Sequence, residues 1–177
     1  SKAILHNQKL AGSITVNFLK RQGHEVVVFD NLSQGHREFV TTDFVQGDLL
    51  DKQSLFNGLK DFSFDGVIHF AAKTLAGESM QKPAEYFQNN IVGGANLLEY
   101  MRETKIPHIV FSSTCAVYGT PEKLPVTEEE SKKPESVYGE SKLMFEKVLS
   151  WYDKIFGIKH INLRYFNACG AALDGST

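Results

Sequence analysis

Tyr138 and Lys142 stand four residues apart in a stretch, Val137 to Phe156, whose apolar spacing predicts a helix. A helix turns about 100° per residue, so the two side chains share one face and can point together at one ligand. Upstream, the apolar strand His108-Ile109-Val110-Phe111 runs into a hydroxyl triplet, Ser112-Ser113-Thr114. If that strand ends beside the helix, a hydroxyl, a phenol and an ammonium converge. Such a trio can remove a proton from an alcohol, because a nearby positive charge favours phenolate and lowers the tyrosine pKa. The Tyr–Lys spacing alone is common by chance; its placement after a hydroxyl-ended strand gives it weight. Local turn chemistry explains any one of the three hydroxyls more readily than all of them.

These groups need a scaffold, and the rest of the chain supplies a regular one. Ala3-Ile4-Leu5 is a short apolar start. Gly12 to Gln22 follows with Ile14, Phe18 and Leu19 at helical spacing, closed by Gly23-His24. Glu25 to Asp30 is a β-branched run without polar alternation, which predicts a strand buried on both faces of a parallel sheet. Phe44 to Asp48 reads as strand, Lys52 to Lys60 as helix and Gly66 to Ala71 as strand. Pro83 then opens one long helix carrying Tyr86, Phe87, Ile91, Leu97, Leu98 and Met101. The strand at His108 and the helix at Val137 come next, and His160 to Tyr165 is the last strand. The most loop-like segment is Thr120 to Ser136, with three prolines and Glu128-Glu129-Glu130. Strand and helix alternating at this interval predict crossover units. The expected fold is α/β, a Rossmann-like doubly wound parallel sheet with helices on both faces, forming a single domain over residues 1–177.

Sheets of this kind bind ligands at the carboxyl ends of their strands. His6-Asn7, Asp30-Asn31, Asp48-Leu49, Phe70-Ala71-Ala72, Ser112-Ser113-Thr114 and Tyr165-Phe166-Asn167 are therefore expected to line one crevice. Asp30 follows Gly12 by 18 residues, near the separation at which an acid after the second strand accepts hydrogen bonds from an adenosine ribose. A carboxylate there would repel a 2′-phosphate, favouring NAD over NADP. The plainer alternatives are a solvated turn acid for Asp30 and an N-terminal cap of the next helix for Asp48. His69 reads as a core histidine.

Composition excludes several classes of function. The other histidines lack metal spacing and neither Cys115 nor Cys169 sits in a zinc-type motif, so no metal is expected. A net charge of -2 gives no electrostatic reason for a nucleic-acid partner or an anionic membrane surface. No apolar run approaches the roughly 20 residues that span a bilayer. With 42% hydrophobic and 23% charged residues and no secretory-type leader, the chain reads as soluble and cytoplasmic, its cysteines reduced.

Six segments taken together, Val27-Val28-Phe29-Asp30-Asn31-Leu32-Ser33, His69-Phe70-Ala71-Ala72, Phe111-Ser112-Ser113-Thr114, Val117-Tyr118-Gly119, Tyr138-Gly139-Glu140-Ser141-Lys142 and Leu163-Arg164-Tyr165-Phe166-Asn167, resemble the extended short-chain dehydrogenase/reductase superfamily, and within it the nucleotide-sugar 4-epimerases of galactose metabolism. The resemblance runs from about residue 12 to the end. It implies that Tyr138, as phenolate, takes the 4-hydroxyl proton of a UDP-hexose while hydride leaves C4 for a bound NAD, and that hydride returns to the other face. UDP-glucose and UDP-galactose are thereby interconverted. Lys142 would lower the Tyr138 pKa and hold the nicotinamide ribose; Thr114 would bond the same sugar oxygen. By the same resemblance Asp30, Asn31, Asp48 and Leu49 match positions around the adenosine, and Phe70, Ala71, Ala72 and Asn89 positions toward the nicotinamide. Gly12, Ser112 and Tyr165 complete the expected cofactor set, and Asn167 matches a substrate contact. A homodimer through the helices spanning Glu85 to Met101 and Val137 to Phe156 is implied as well.

The chain departs from that pattern in three places. Where the family has Gly-x-x-Gly-x-x-Gly, the sequence is His6-Asn7-Gln8-Lys9-Leu10-Ala11-Gly12, and side chains at 6 and 9 replace the glycines that allow close backbone approach to pyrophosphate. The sequence stops at Thr177, so the C-terminal substrate domain is expected to be absent. A lysine found in some epimerases aligns with Thr74, beside Lys73. The alternatives are a related dehydratase or another epimerase, or a catalytically inert truncated domain. Dehydratases usually place an acidic pair after the hydroxyl strand, whereas Cys115-Ala116 follow here.

Overall fold

The computed structural model describes residues 2–6, 10–33, 37, 40–70 and 73–167. Six parallel strands form one sheet: β1 (Lys2–His6), β2 (Glu25–Asp30), β3 (Asp43–Gln46), β4 (Gly66–His69), β5 (His108–Thr114) and β6 (Lys159–Tyr165). Their spatial order is β3-β2-β1-β4-β5-β6. The order reverses between β1 and β4, and because every pairing is parallel, all carboxyl ends lie along one edge. This is the doubly wound arrangement expected from the alternation of elements.

β2 shows how the sheet divides the core. Its period of two sends Val27 and Phe29 to one face and Val26 and Val28 to the other. The first face meets α2 (Lys52–Leu59), α5 (Gly93–Thr104) and α6 (Val137–Phe156) through Leu55, Leu59, Leu97, Leu98, Met101, Phe145 and Leu149. The second packs against Val16 of α1 (Leu10–Arg21). Burial of both faces accounts for the unbroken apolar run. His69 lies in the main core, with its ring 5.6 Å from those of Phe111 and Phe145.

The expected long helix after Pro83 is not uniform. It consists of α4 (Pro83–Phe87), a π-turn over Gln88–Val92, and α5. In the π-turn the Gly93 N–H reaches back five residues to the carbonyl of Gln88. Hydrophobic spacing cannot reveal such a turn, since flanking residues keep the same face. A short helix, α3 (Ala76–Ser79), precedes it without a distinct periodic signal. The N-cap of α2 is Asp51, whose Oδ1 accepts the Ser54 N–H at 3.0 Å, rather than Asp48. α6 is capped at its start by Ser136, which accepts the Gly139 N–H at 3.1 Å, and at its end by Gly157 with φ 74°.

α5 and α6 approach closely at Gly94, where an added Cβ would overlap the ring of Phe145. The buried ring is also in edge contact with Phe111 at 4.8 Å, so it has little room to yield. Alanine at position 94 gains about 1 kcal/mol of helix propensity, but overpacking costs about 1–3 kcal/mol. Gly94→Ala is therefore expected to lower the urea midpoint; an unchanged or raised midpoint would show that the Phe145 contact does not constrain the helix pair.

Candidate active site

The carboxyl end of β5 and the first turns of α6 form the centre of the site. Residues 138, 142 and 146 recur every four positions and make one stripe along α6 facing β5. The Thr114 side chain acts on the Tyr138 phenol, drawing its pKa down. Lys142, fully buried, donates from Nζ to the Ser112 carbonyl at 2.7 Å and lies 4.6 Å from the centre of the Phe111 ring. Glu146 accepts from Ser113 Oγ at 2.5 Å and from Arg164 of β6 at 3.0 and 2.7 Å. Arg164 also donates to the Tyr118 hydroxyl at 2.8 Å. The triplet of hydroxyl residues thus divides: Thr114 meets the phenol, Ser113 meets a buried carboxylate, and Ser112 presents its carbonyl to the lysine.

Burial raises the Tyr138 pKa above the ordinary tyrosine value, the Thr114 hydrogen bond opposes that rise, and Cys115 adds to it. The Lys142 ammonium sits 6.0 Å from the centre of the Tyr138 ring and donates to the Ser112 carbonyl, and burial is the largest influence on the phenol. A Thr hydroxyl that lowers a phenol's pKa donates to it. Thr114 Oγ can do so while accepting the Ala116 N–H at 3.2 Å.

A close backbone approach sets the height of this turn. At Gly139, immediately after Tyr138, an added Cβ would lie 2.7 Å from the Ala116 carbonyl oxygen. The glycine of Tyr138-Gly139-Glu140-Ser141-Lys142 is thus a packing requirement for the Cys115–Val117 3₁₀ turn to lie against α6.

At the other end of the crevice, Asp30 is only 3% exposed, so it is not a solvated turn acid. Its Oδ1 does accept the Leu32 N–H at 2.6 Å, and Leu32 adopts φ 59°, so a tight side-chain-capped turn follows β2. Asn31 Nδ2 donates to Asp48 Oδ2 at 3.0 Å, and Asp48 Oδ1 accepts the Leu50 N–H at 2.9 Å. Two carboxylates and an amide therefore gather at the ends of β2 and β3. These carboxylate acceptors suit the hydroxyls of a ribose and disfavour a phosphate there. Gly12 is buried within α1.

The remaining expected positions are dispersed. Leu49 has its side chain in the core and its carbonyl accepts from Asn96 Nδ2 at 2.7 Å, while Phe70 packs beside Val16, Val26 and Val28. Asn89 donates to Asn90 Oδ1 at 3.0 Å. Tyr165 and Asn167 are exposed at the end of edge strand β6. Ala71 and Ala72, and the turn residues Asn7, Gln8 and Lys9, lie outside the described residues. Glu146 is one further step of four along the Tyr138/Lys142 face, and that spacing is the signal that marks it in the sequence; Arg164 and Tyr118 reach it only through the fold. Among the described residues no group of His, Cys, Asp and Glu could hold a metal ion, and no helix is long and apolar enough to cross a membrane.

Comparison with known proteins shows the family. Residues 9–177 match the model of the NAD dependent epimerase/dehydratase family. A UDP-glucose 4-epimerase of Lactobacillus helveticus is 45% identical over 167 residues, which is 93% of this chain and 51% of that protein. The crystal structure of UDP-glucose 4-epimerase from Brucella ovis in complex with NAD superposes with a TM-score of 0.96 at 41% identity, covering 99% of this chain and 55% of that one. UDP-glucose 4-epimerase from Thermotoga maritima with UDP-glucose gives a TM-score of 0.89 at 29% identity, covering 93% and 55%. The chain thus spans about half the length of the curated relatives it matches. The six-stranded parallel sheet, the Tyr138 turn at its carboxyl edge and the family match over residues 9–177 place this chain in the NAD dependent epimerase/dehydratase family.

Proposed function

We propose that this chain is the NAD-binding portion of a UDP-glucose 4-epimerase-like enzyme, an isomerase that interconverts UDP-glucose and UDP-galactose. The observation that carries the reading is the meeting of Thr114, Tyr138 and Lys142 at the carboxyl end of β5. Its relatives support the ligands: the Brucella ovis enzyme is described with NAD and the Thermotoga maritima enzyme with UDP-glucose.

The residues present fit NAD. Asp30, with Asn31 and Asp48 beside it, would hold the adenosine ribose, and Gly12 gives α1 a side-chain-free position where the family has its last turn glycine. Leu49, Phe70, Ala71, Ala72, Asn89, Ser112, Tyr165 and Lys142 would line the remainder, and Asn167 would meet the sugar nucleotide. When bound, NAD supplies a reversible hydride acceptor. The chain's own part is proton transfer: Tyr138 Oη takes the proton of the sugar 4-hydroxyl and later returns it. Thr114 would donate to that phenol oxygen, favouring the ionised state the transfer requires. Lys142 places a fixed positive charge one helical turn from the phenol. The half-buried phenol otherwise stays protonated, so these two groups decide whether it acts as a base.

The same reading covers the chain's setting. A role in galactose metabolism and a cytoplasmic location follow from the proposed reaction. Exposed Met144, Trp151 and Ile155 lie seven and four residues apart on one face of α6, which supports a homodimer through α5 and α6.

Two outcomes are expected. Tyr138→Phe should lose C4 epimerisation by at least about a hundredfold while retaining NAD measured after denaturation; unchanged turnover would contradict the assigned base. In the NAD-free chain, the tyrosinate absorbance lost in Tyr138→Phe should titrate above the ordinary value of about 10, and Thr114→Val should move it higher. A downward shift in Thr114→Val would show that the hydroxyl does not support the phenolate.

A further inference from the structure

β6 (Lys159–Tyr165) ends the sheet, and its outer edge lacks the proline or unpaired charge that usually blunts such an edge. The Lys159 N–H donates to the Pro107 carbonyl at 2.8 Å, so the alternating backbone turns residues 159, 161, 163 and 165 toward β5. His160, Asn162 and Arg164 therefore send their N–H and C=O groups to the open edge, where no described residue bonds them. The side chains alternate as well. Arg164 reaches Glu146 of α6, which puts residues 160, 162 and 164 on the covered face of the sheet. Ile161, Leu163 and Tyr165 stand on the other face, 60%, 38% and 37% exposed. Asn162, at the middle of the strand, has its Oδ1 shut off from water without a donor.

We propose that this edge pairs with the same edge of a second copy of the chain, antiparallel, about a two-fold axis at Asn162. An antiparallel neighbour must set outward residues against outward residues. With the axis at Asn162, His160 faces the partner's Arg164 and Asn162 faces its own counterpart, so all the outward backbone groups pair. The terminal torsion of asparagine is soft, and its rotation lets each Nδ2 donate to the partner's Oδ1. On the open face Ile161 lies opposite the partner's Leu163 at the closer, non-hydrogen-bonded spacing, and Lys159 lies opposite the partner's Tyr165. Charge does not oppose the contact. Lys159 is already matched by Asp153 at 2.6 Å, His160 Nδ1 lies 3.8 Å from the same carboxylate, and Arg164 is matched by Glu146. Because one patch meets itself, the contact closes at two copies. It is separate from the α5/α6 face, and its small size places the dissociation constant at about 10 μM.

The test is sedimentation of the full 177-residue chain and of its Trp151→Glu variant, which disables the α6 face, between about 1 and 100 μM. In Trp151→Glu the mass should rise from one copy to two across that range. Residue-resolved amide exchange should slow at His160, Asn162 and Arg164 at least about tenfold over the same range, while Ile161, Leu163 and Tyr165, bonded to β5, stay unchanged. Asn162→Pro removes an outward N–H and no bond to β5, and Ile161→Lys sets a charge in the apolar contact. Each should raise the dissociation constant at least about tenfold. Ile161→Lys alters one exposed side chain, so it decides the matter if Asn162→Pro does not fold. A single copy at every concentration would overturn the proposal, and so would a dimer lost in Trp151→Glu but kept in both edge variants. Outward amides protected in a single copy would show that another segment of the same chain covers the edge, which overturns it too.

Discussion

The buried carboxylate of Glu146 is the constraint on which the site depends. It receives Ser113 of β5 and a two-pronged contact from Arg164 of β6, so one side chain of α6 is bound to two strands at once. Desolvation offsets much of the attraction in such a pair, yet removing one partner from it typically costs about 3–5 kcal/mol, because the other charge is left without compensation. The interaction therefore specifies geometry more than it adds stability. With Glu146 fixed on β5 and β6, the residues four and eight positions before it are fixed too, and those are Lys142 and Tyr138. Gly139 lets the start of the same helix settle against the 3₁₀ turn after β5.

A second consequence concerns charge. The ammonium of Lys142 is fully buried, cushioned by the Ser112 carbonyl and the face of Phe111. Tyr138 is also largely withdrawn from water, and its pKa rises in response. The phenol sits one turn from that ammonium, and its ionisation is favoured only when the site brings its donors to bear together. That is the arrangement expected of a base that must hold a proton at one stage of a cycle and release it at another.

Much of this was legible in the sequence, for a physical reason. Strands buried on both faces write themselves as continuous apolar runs, as Val26 to Phe29 does, and crossover helices write themselves between them. Tyr138 and Lys142 were readable because helical spacing is local. What could not be read depends on contacts between distant segments. Asp51 rather than Asp48 caps α2, since the Asp48 carboxylate is engaged by Asn31. The π-turn leaves no mark on hydrophobic periodicity. The split of Ser112, Ser113 and Thr114 among three partners follows from strand alternation, but only once the neighbour on each side is known. Asn90 and Ser79 lie 51 and 59 residues from their partners on α6, beyond the reach of spacing arguments.

The strand-end crevice running from Asp30 to Tyr138 is proposed as a dinucleotide site, with His6 and Lys9 in place of glycines. Calorimetric titration of the purified chain with NAD and with NADP tests it. Saturable one-to-one binding of NAD is expected, with NADP at least about tenfold weaker because Asp30 and Asp48 oppose a 2′-phosphate. Binding of neither dinucleotide, or equal affinity for both, would contradict it.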